Sequence, residues 1–303
     1  MENTITIDAS TFQKPLAELA RTMILKVERE GAKTSGIPLY IAIDIAMLLR
    51  ISNETLNLLC FINSDENMAA SSSSKPIYTV VVFPLVRNMI DNLYNITYIL
   101  RDPAVRGRAF RLSGIMKEQK MISDEEARYA GQPDWDTWIT ESREKLELSM
   151  RQLNATQVEM DATPEWLTLG KYVNQKAKGG VLNDHQLFLS NLLYGPWRQY
   201  SAQAHGGPEA LRAIAMYFNY DEQPFDDRPL IKDAMERMRT LHLLRASALL
   251  LATITELQAY FRFDGANINK RIREVWDALL VHMDVKELYD ARYAQLMKDK
   301  GIS

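Results

Sequence analysis

The sequence is poor in cysteine, glycine and proline. Its single cysteine, Cys60, excludes an internal disulfide and any zinc site that needs several cysteines. A lone cysteine also fits a reducing compartment, so we expect a cytoplasmic protein. With only 13 glycines and 11 prolines in 303 residues, the chain has few turn formers, and its 14 methionines and many Leu, Ala, Glu, Arg and Gln residues favour helix.

An excess of charge of one sign is also missing. The chain has 36 Lys and Arg against 39 Asp and Glu, a formal net charge of -3. No global positive field therefore indicates a nucleic-acid partner, although a local basic patch stays open. With 47% hydrophobic and 25% charged residues, the composition is that of a soluble globular protein and excludes a disordered or collagen-like chain.

Uninterrupted apolar runs are absent as well. The most apolar stretch, residues 241–263, contains Arg245, Glu256 and Arg262, whereas a spanning helix needs roughly 20 apolar residues with few charges. Residues 1–10 lack the basic flank and the apolar run of a signal peptide. We therefore expect neither a membrane partner nor secretion.

Apolar residues at helical spacing predict a series of long helices. The first includes residues 16–27, and residues 39–62 are so apolar that we expect them in the middle of a bundle. A further helix is predicted over residues 76–100, with a kink at Pro84. Residues 78–83 are β-branched and aromatic, so a strand is the alternative there.

Capping signals and glycines set the other boundaries. Asp102 before Pro103 predicts a helix at residues 104–119, and a capping box of Ser123 and Glu126 predicts another at residues 124–129. Further helices are predicted at residues 135–153, 164–175 after a Thr163 cap, 183–204 with a break at Gly195 and Pro196, 229–261, 267–283, and 285–298 after a capping box of Asp284 and Glu287. Residues 63–75 and 176–180 are predicted loops. The result is an all-α multi-helix bundle, with residues 1–303 as a single domain.

A polar stripe lies on the helix predicted over residues 76–100. Arg87, Asp91 and Asn95 are four residues apart and so share one face of an otherwise apolar helix. One interpretation is an ion pair between Arg87 and Asp91 at the surface of the bundle or between two helices. The functional interpretation is that the stripe forms a wall of a polar pocket.

A second polar stripe contains Arg198, Ser201 and His205, beside a core stripe that includes Tyr200. Arg198 and His205 are seven residues apart, which places them within about 20° of each other and about 10 Å apart on a helix. A long arginine side chain closes much of that gap. The alternative is that His205 caps its own helix, where a C-terminus favours the imidazolium.

The two stripes resemble the paired signatures of HEPN-like bacterial helical proteins. The matching segments are Phe-Pro-Leu-Val-Arg-Asn-Met-Ile-Asp at residues 83–91, an Arg-x3-acidic helix, and Tyr-Ser-Ala-Gln-Ala-His-Gly at residues 200–206, a Tyr-Ser-x3-His helix. The resemblance covers residues 77–218. It implies a HEPN-like core with additional N- and C-terminal helices, a homodimer, and in active members a metal-independent ribonuclease of bacterial stress or phage defence that uses an Arg-x4-6-His motif.

Carried onto this chain, the resemblance makes Arg198 and His205 the catalytic pair. His205 would move the proton of a ribose 2′-hydroxyl and Arg198 would stabilise the phosphoryl oxygens. The residues that would orient the pair or donate to phosphate are Arg87, Asp91, Asn95, Tyr200 and Ser201. No cofactor is predicted, and no metal either, since the other histidines lack partners at a ligand spacing.

RNA would need an electrostatic landing surface. Residues 101–120 are the most basic segment, and their candidate RNA-binding side chains are Arg101, Arg106, Arg108 and Arg111. A solvated helix face is the alternative interpretation of this segment. The alternative function for the whole chain is a non-catalytic helical module that binds a protein or a nucleotide.

Overall fold

The structure is a computed structural model that describes residues 10–63, 75–175, 180–205, 228–264 and 266–302, together with positions 208 and 211. Within these ranges the chain forms α-helices and π-helical segments and no strand. The all-α prediction is therefore confirmed. The predicted loops at residues 63–75 and 176–180 lie, apart from their end residues, outside the described residues.

Fourteen named helices give the element order of the described chain. They are α1 Ser10–Lys26, α2 Ala32–Ser35, α3 Leu39–Ile62, α4 Lys75–Ile99, α5 Arg108–Tyr129, α6 Pro133–Leu153, α7 Gln157–Ala162, α8 Leu169–Asn174, α9 Asp184–Phe188, α10 Gly195–Ala204, α11 Arg228–Phe261, α12 Ala266–Leu279, α13 Met283–Leu288 and α14 Ala294–Lys300. π-Helical segments lie at Val27–Gly31, Pro103–Gly107, Leu189–Tyr194 and Tyr289–Tyr293.

The chain divides into two compact units. The first contains Met1–Thr97 and Leu169–Ser303, and the second contains Tyr98–Thr168. A compact unit is defined by its internal contacts, whereas a domain is defined by independent folding. The single-domain prediction therefore stays a prediction.

The core of the first unit is formed by α1, α3, α11 and α12. Helix α1 packs against each of the other three, and α11 packs against α3 and α12. The side chains with no exposed surface include Leu16, Leu19, Met23, Ile41, Ile45, Leu49, Leu250, Leu251, Ile254, Ile272 and Trp276. Burial of each such side chain stabilises the fold by about 1.5–3 kcal/mol relative to its exposure.

Helix α11, rather than α3, is the central helix of this core. By length and composition, Leu39–Ile62 and Arg237–Phe261 could each cross a membrane, but 83% of the apolar window of the second is buried in the protein, against 44% for the first. The prediction that α3 lies in the middle of the bundle is therefore wrong in part. One of its faces is covered by α1 and α11, and the opposite apolar face is exposed.

The second unit is built on two long helices. Helices α5 and α6 pack against each other, and α7 packs on α5. Trp166 makes edge contacts with Tyr98 and Phe110, at ring-centroid distances of 5.2 and 5.0 Å. The predicted break at Ser123 is wrong: α5 is continuous, because the Ser123 hydroxyl donates to the carbonyl of Gln119 instead of capping a new helix.

Two other predicted helix starts are wrong. Thr163 follows the end of α7, where its hydroxyl donates to the carbonyl of Glu159, and the next helix begins at Leu169. Asp284 lies inside the first turn of α13, whose N-cap residue is His282.

The strand alternative at residues 78–83 is also wrong, since the backbone of α4 is helical there. The cap at Asp102 is confirmed, because its carboxylate accepts from the Val105 N–H.

Candidate functional site

Helices α4 and α10 bring the two polar stripes together in the first unit. Pro196 stands in the first turn of α10, directly after the π-helical segment Leu189–Tyr194. Gly170 on α8 fits against Trp197 of α10, because a Cβ atom at position 170 would lie 3.2 Å from two ring atoms of Trp197. The close approach of α8 helps to fix the indole ring beside α4.

Four side chains meet at this junction, and we call them the Arg87 cluster: Arg87, Asp91, Trp197 and His205. Nη1 of Arg87 lies 3.2 Å from Nε2 of His205, and Nε of Arg87 lies 3.7 Å from Oδ2 of Asp91. The Trp197 indole N–H donates to Oδ1 of Asp91 at 2.8 Å. The guanidinium carbon of Arg87 also lies 5.4 Å from the centre of the Trp197 ring, within cation–π range.

The protonation of His205 follows from its partner. An arginine guanidinium has hydrogen-bond donors and no acceptor, so Nε2 of His205 must be the acceptor. In this contact the ring proton is on Nδ1. His205 is the C-cap residue of α10, as the capping alternative predicted, and its backbone N–H donates to the carbonyl of Ser201. Its ring, however, binds Arg87.

Asp91 is a partly buried carboxylate between two donors. Burial raises the pKa of Asp91 above its ordinary value, and the Trp197 hydrogen bond and the Arg87 charge oppose that increase. The ion pair that sequence analysis offered as the structural interpretation is thus present. The exposed His205 lies beside this ion pair, and the pocket-wall interpretation stays a prediction.

Arg198, the predicted catalytic arginine, is not part of the cluster. Its side chain is exposed, and its guanidinium carbon lies 5.9 Å from the centre of the Tyr194 ring. Among the residues that the structure describes, no hydrogen bond joins Arg198 to His205. Arg198 and Ser201 instead line a shallow open depression on the surface of α10, next to Trp197.

The other predicted pocket residues have different surroundings. Tyr200 is 1% exposed and its hydroxyl lies 2.8 Å from Nδ1 of His242, so it faces the core rather than the Arg87 cluster. The Ser201 hydroxyl is buried and has no partner in the described part of the chain. Asn95 lies half-buried on α4, one turn beyond Asp91.

The basic segment belongs to the second unit, and Arg106 and Arg108 make intramolecular contacts there. Arg106 lies over the Tyr98 ring at 4.1 Å and donates to the Tyr98 carbonyl. Arg108 binds the Glu159 carboxylate with two nitrogens and also donates to the carbonyl of Leu153. Arg101 is exposed and Arg111 is half-buried, so this segment offers fewer available cations than its sequence suggested.

Sequence analysis missed three functional candidates: Trp197, His242 and Arg245. The half-buried indole N–H of Trp197 needs an acceptor, which Asp91 provides. Arg245 donates to the Tyr200 hydroxyl at 3.4 Å, and that hydroxyl is hydrogen-bonded to Nδ1 of His242 at 2.8 Å. The spacing of three residues between His242 and Arg245 on one helix was the available signal.

The described residues hold no group of three or more His, Cys, Asp or Glu side chains that could bind a metal ion. Burial raises the pKa of the Cys60 thiol to about 11, so this side chain is protonated at neutral pH and is a poor nucleophile.

Comparison of the chain with protein-family models, with curated proteins and with solved structures gives no match. The HEPN-like resemblance therefore stays a prediction that depends on the residues quoted for it.

Proposed function

We propose that this protein is a metal-independent endoribonuclease in which His205 and Arg87 form the catalytic pair. The supporting observation is the 3.2 Å distance between Nη1 of Arg87 and Nε2 of an exposed His205. A proton acceptor and a fixed cation are the two groups that cleavage of an RNA phosphodiester by its own 2′-hydroxyl requires. Arg87 replaces Arg198 as the partner of His205 in this proposal.

The reaction uses the unprotonated Nε2 of His205 as a general base. This nitrogen takes the proton of a ribose 2′-hydroxyl, the 2′-oxygen bonds to the adjacent phosphorus, and the bond to the 5′-oxygen breaks. Water supplies the proton for the departing 5′-oxygen, and the products are a 2′,3′-cyclic phosphate and a 5′-hydroxyl end. Arg87 moves from Nε2 to a non-bridging phosphoryl oxygen and stabilises its charge.

The rest of the cluster holds the catalytic pair in position. Asp91 faces Nε of Arg87, and Trp197 binds the other oxygen of the same carboxylate, so Trp197 fixes the carboxylate that orients the guanidinium. Arg198 lies on the adjoining open surface and neutralises a neighbouring phosphate. A substrate with several phosphates on a flexible strand fits this arrangement, which favours single-stranded RNA.

A non-catalytic helical module is the second candidate function. The observation that favours it is that Arg87 already binds Asp91, His205 and the Trp197 ring inside the protein. Such a set of contacts ties α4 to the end of α10 and stabilises the fold without any substrate. Loss of His205 would then lower stability and leave no activity to measure.

A second copy of this chain is the proposed partner of α3. The exposed face of α3 carries apolar side chains at helical spacing, namely Leu39, Ile43, Met47, Ile51, Leu58 and Phe61, each more than 40% exposed. Soluble monomers rarely expose contiguous apolar patches of this kind. Arg50, which also binds the Glu28 carboxylate at 2.7 Å, and Glu54 lie near the middle of the same face, so an antiparallel copy of α3 places the Glu54 of one copy near the Arg50 of the other.

The test of catalysis is cleavage of total RNA and end-labelled tRNA by the purified full chain in EDTA. His205→Ala and Arg87→Ala are expected to lose at least about a hundredfold in rate, since each removes a group that acts in the transition state. Arg198→Ala should lose less, and Arg21→Ala, an exposed arginine on α1, is the matched control and should keep the wild-type rate. The products should carry 2′,3′-cyclic phosphate ends.

Equal cleavage by wild type and all variants would indicate a contaminating nuclease and would contradict the proposal. An inert wild type would contradict it too. If His205→Ala and Arg87→Ala then lowered the melting temperature, the result would favour the non-catalytic module.

A further inference from the structure

A cavity of about 250 Å³ lies in the first unit, between α4, the π-helical segment Leu189–Tyr194, α10, α11 and α13. Its apolar lining includes Val86, Ile90, Leu193, Ala248, Leu249 and Val285. Its polar lining is Asn191, Tyr200, Arg245, Asp284 and Glu287. None of the four side chains of the Arg87 cluster lines this cavity, so it is a separate site.

Arg245 brings a positive charge that lacks a carboxylate partner in the described part of the chain. Its hydrogen bond there goes from Nη1 to the Tyr200 hydroxyl and is 3.4 Å long. The Tyr200 side chain is 1% exposed and is held by His242 at 2.8 Å. The Arg245 guanidinium is half-buried, and the buried Tyr200 hydroxyl uses only one of its N–H donors. Its other N–H donors suit a carboxylate ligand.

Asp284 and Glu287 bring two negative charges to the same cavity from α13. They are three residues apart on one helix and so lie on one side of it. The charge of Asp284 reaches the buried hydroxyl of Tyr200, where it acts against the charge of Arg245. A ligand with only a carboxylate would meet these acidic groups, and a ligand with only an amine would meet Arg245.

A small zwitterion with an apolar body satisfies all three features of the lining. We propose that the cavity binds a free α-amino acid with an aliphatic or aromatic side chain. The ligand carboxylate binds Arg245, its ammonium group binds Asp284 or Glu287, and its side chain packs against Val86, Ile90 and Leu249. The volume agrees with a small ligand, because 250 Å³ lies below the range of roughly 300–1,000 Å³ typical of sites for drug-sized ligands.

The test is isothermal titration calorimetry on the full chain with L-leucine and L-phenylalanine. Leucinamide and phenylalaninamide, which lack the carboxylate, and 4-methylpentanoate and 3-phenylpropanoate, which lack the ammonium group, are the matched analogues. One of the two amino acids is expected to bind saturably at one site, and the corresponding single-charge analogues should bind at least about tenfold more weakly, since each loses one charged contact. Arg245→Gln should lose binding by a similar factor, whereas Arg21→Ala should keep it.

A second variant separates binding from folding. Ala248→Leu adds apolar volume to the cavity wall without touching a charge, so it should abolish binding by filling the space. A melting temperature close to that of wild type would show that each variant is folded. The proposal is overturned if neither amino acid shows binding at concentrations up to about 10 mM. It is also overturned if an analogue binds as well as its parent, or if folded Arg245→Gln or Ala248→Leu binds as well as wild type. None of these readouts depends on ribonuclease activity.

Discussion

Nη1 of Arg87 lies 3.2 Å from Nε2 of His205, although 118 residues separate the two along the chain. The contact joins the middle of α4 to the residue that ends α10. Because a guanidinium only donates, it holds the histidine as the tautomer whose Nε2 lone pair accepts this hydrogen bond. Nε2 of His205 is thus a proton acceptor next to the guanidinium of Arg87, and both groups lie at an accessible surface.

The tautomer of His205 is directly testable. In wild type, long-range ¹H–¹⁵N spectra at about pH 8 should show His205 with its proton on Nδ1 and with Nε2 as the acceptor. Arg87→Met removes the donor, so the population should shift towards the Nε2–H form that free histidine prefers. Arg198→Met is the control and should leave the spectrum unchanged. The same tautomer in wild type and Arg87→Met would contradict the assigned contact.

Helical periodicity predicted the long elements of this fold closely. The predicted helix at residues 39–62 is found as Leu39–Ile62, and that at residues 229–261 as Arg228–Phe261. Boundaries that depended on capping boxes failed. The reason is local: the hydroxyls of Ser123 and Thr163 bond carbonyls four residues earlier, an option that the sequence pattern of a cap does not exclude.

The candidate site was predicted in part. The stripe of Arg87 and Asp91 follows from a spacing of four on one helix, and the structure contains that contact. The partner of His205 does not follow from spacing. The helical angle between Arg198 and His205 applies only while the helix continues, and α10 ends at Ala204, one residue before the imidazole. Which cation meets His205 therefore depends on how α4 packs against α10, and this is a tertiary property.

The buried His242 should make stability depend on pH. Burial, with a contribution from Arg245, lowers the pKa of His242 from 6.5 to about 4 in the folded protein. Between these values the unfolded chain binds a proton and the folded chain does not, so the free energy of unfolding falls as pH decreases. The stabilising contribution of His242 is fully present above about pH 6.5. Between pH 7 and pH 5 the titration of this group lowers the free energy of unfolding by about 2 kcal/mol.

Urea unfolding at pH 7 and pH 5 measures this dependence. His242→Phe keeps an aromatic ring beside Phe83 and Tyr200 but cannot titrate, so its stability should fall about 2 kcal/mol less over the same interval. Phe83→Leu is the control: it loosens the same contacts and should keep the wild-type dependence. If His242→Phe lost as much stability as wild type on acidification, another group would have to carry the effect.

The exposed face of α3 predicts a dimer that a single charge can disrupt. Ile51 is 42% exposed near the middle of that face, so Ile51→Asp places a buried carboxylate at the centre of the proposed two-fold interface. Sedimentation velocity should give a dimer for wild type and a monomer for Ile51→Asp. Val158→Asp, at an apolar residue that is 78% exposed on α7, should remain dimeric. A monomeric wild type, or a wild type that floats with lipid vesicles, would contradict the proposal.

Two arginines of the basic segment should behave in opposite ways towards RNA. Arg101 is exposed, so in Arg101→Ala the affinity for single-stranded RNA should fall and the slope of log affinity against log salt should shrink by about 0.7, the value for one lost phosphate contact. Arg108 donates to Glu159 and to the Leu153 carbonyl, and the same guanidinium lowers the pKa of Glu159. Arg108→Ala should therefore lower the melting temperature and leave the salt slope unchanged.

Fluorescence anisotropy at several salt concentrations, with thermal unfolding in parallel, separates the effects of Arg101→Ala and Arg108→Ala. The loss of a phosphate contact reduces the number of counterions released on binding and so reduces the slope of log affinity against log salt. An unchanged slope in Arg101→Ala would therefore mean that this segment is a solvated helix face.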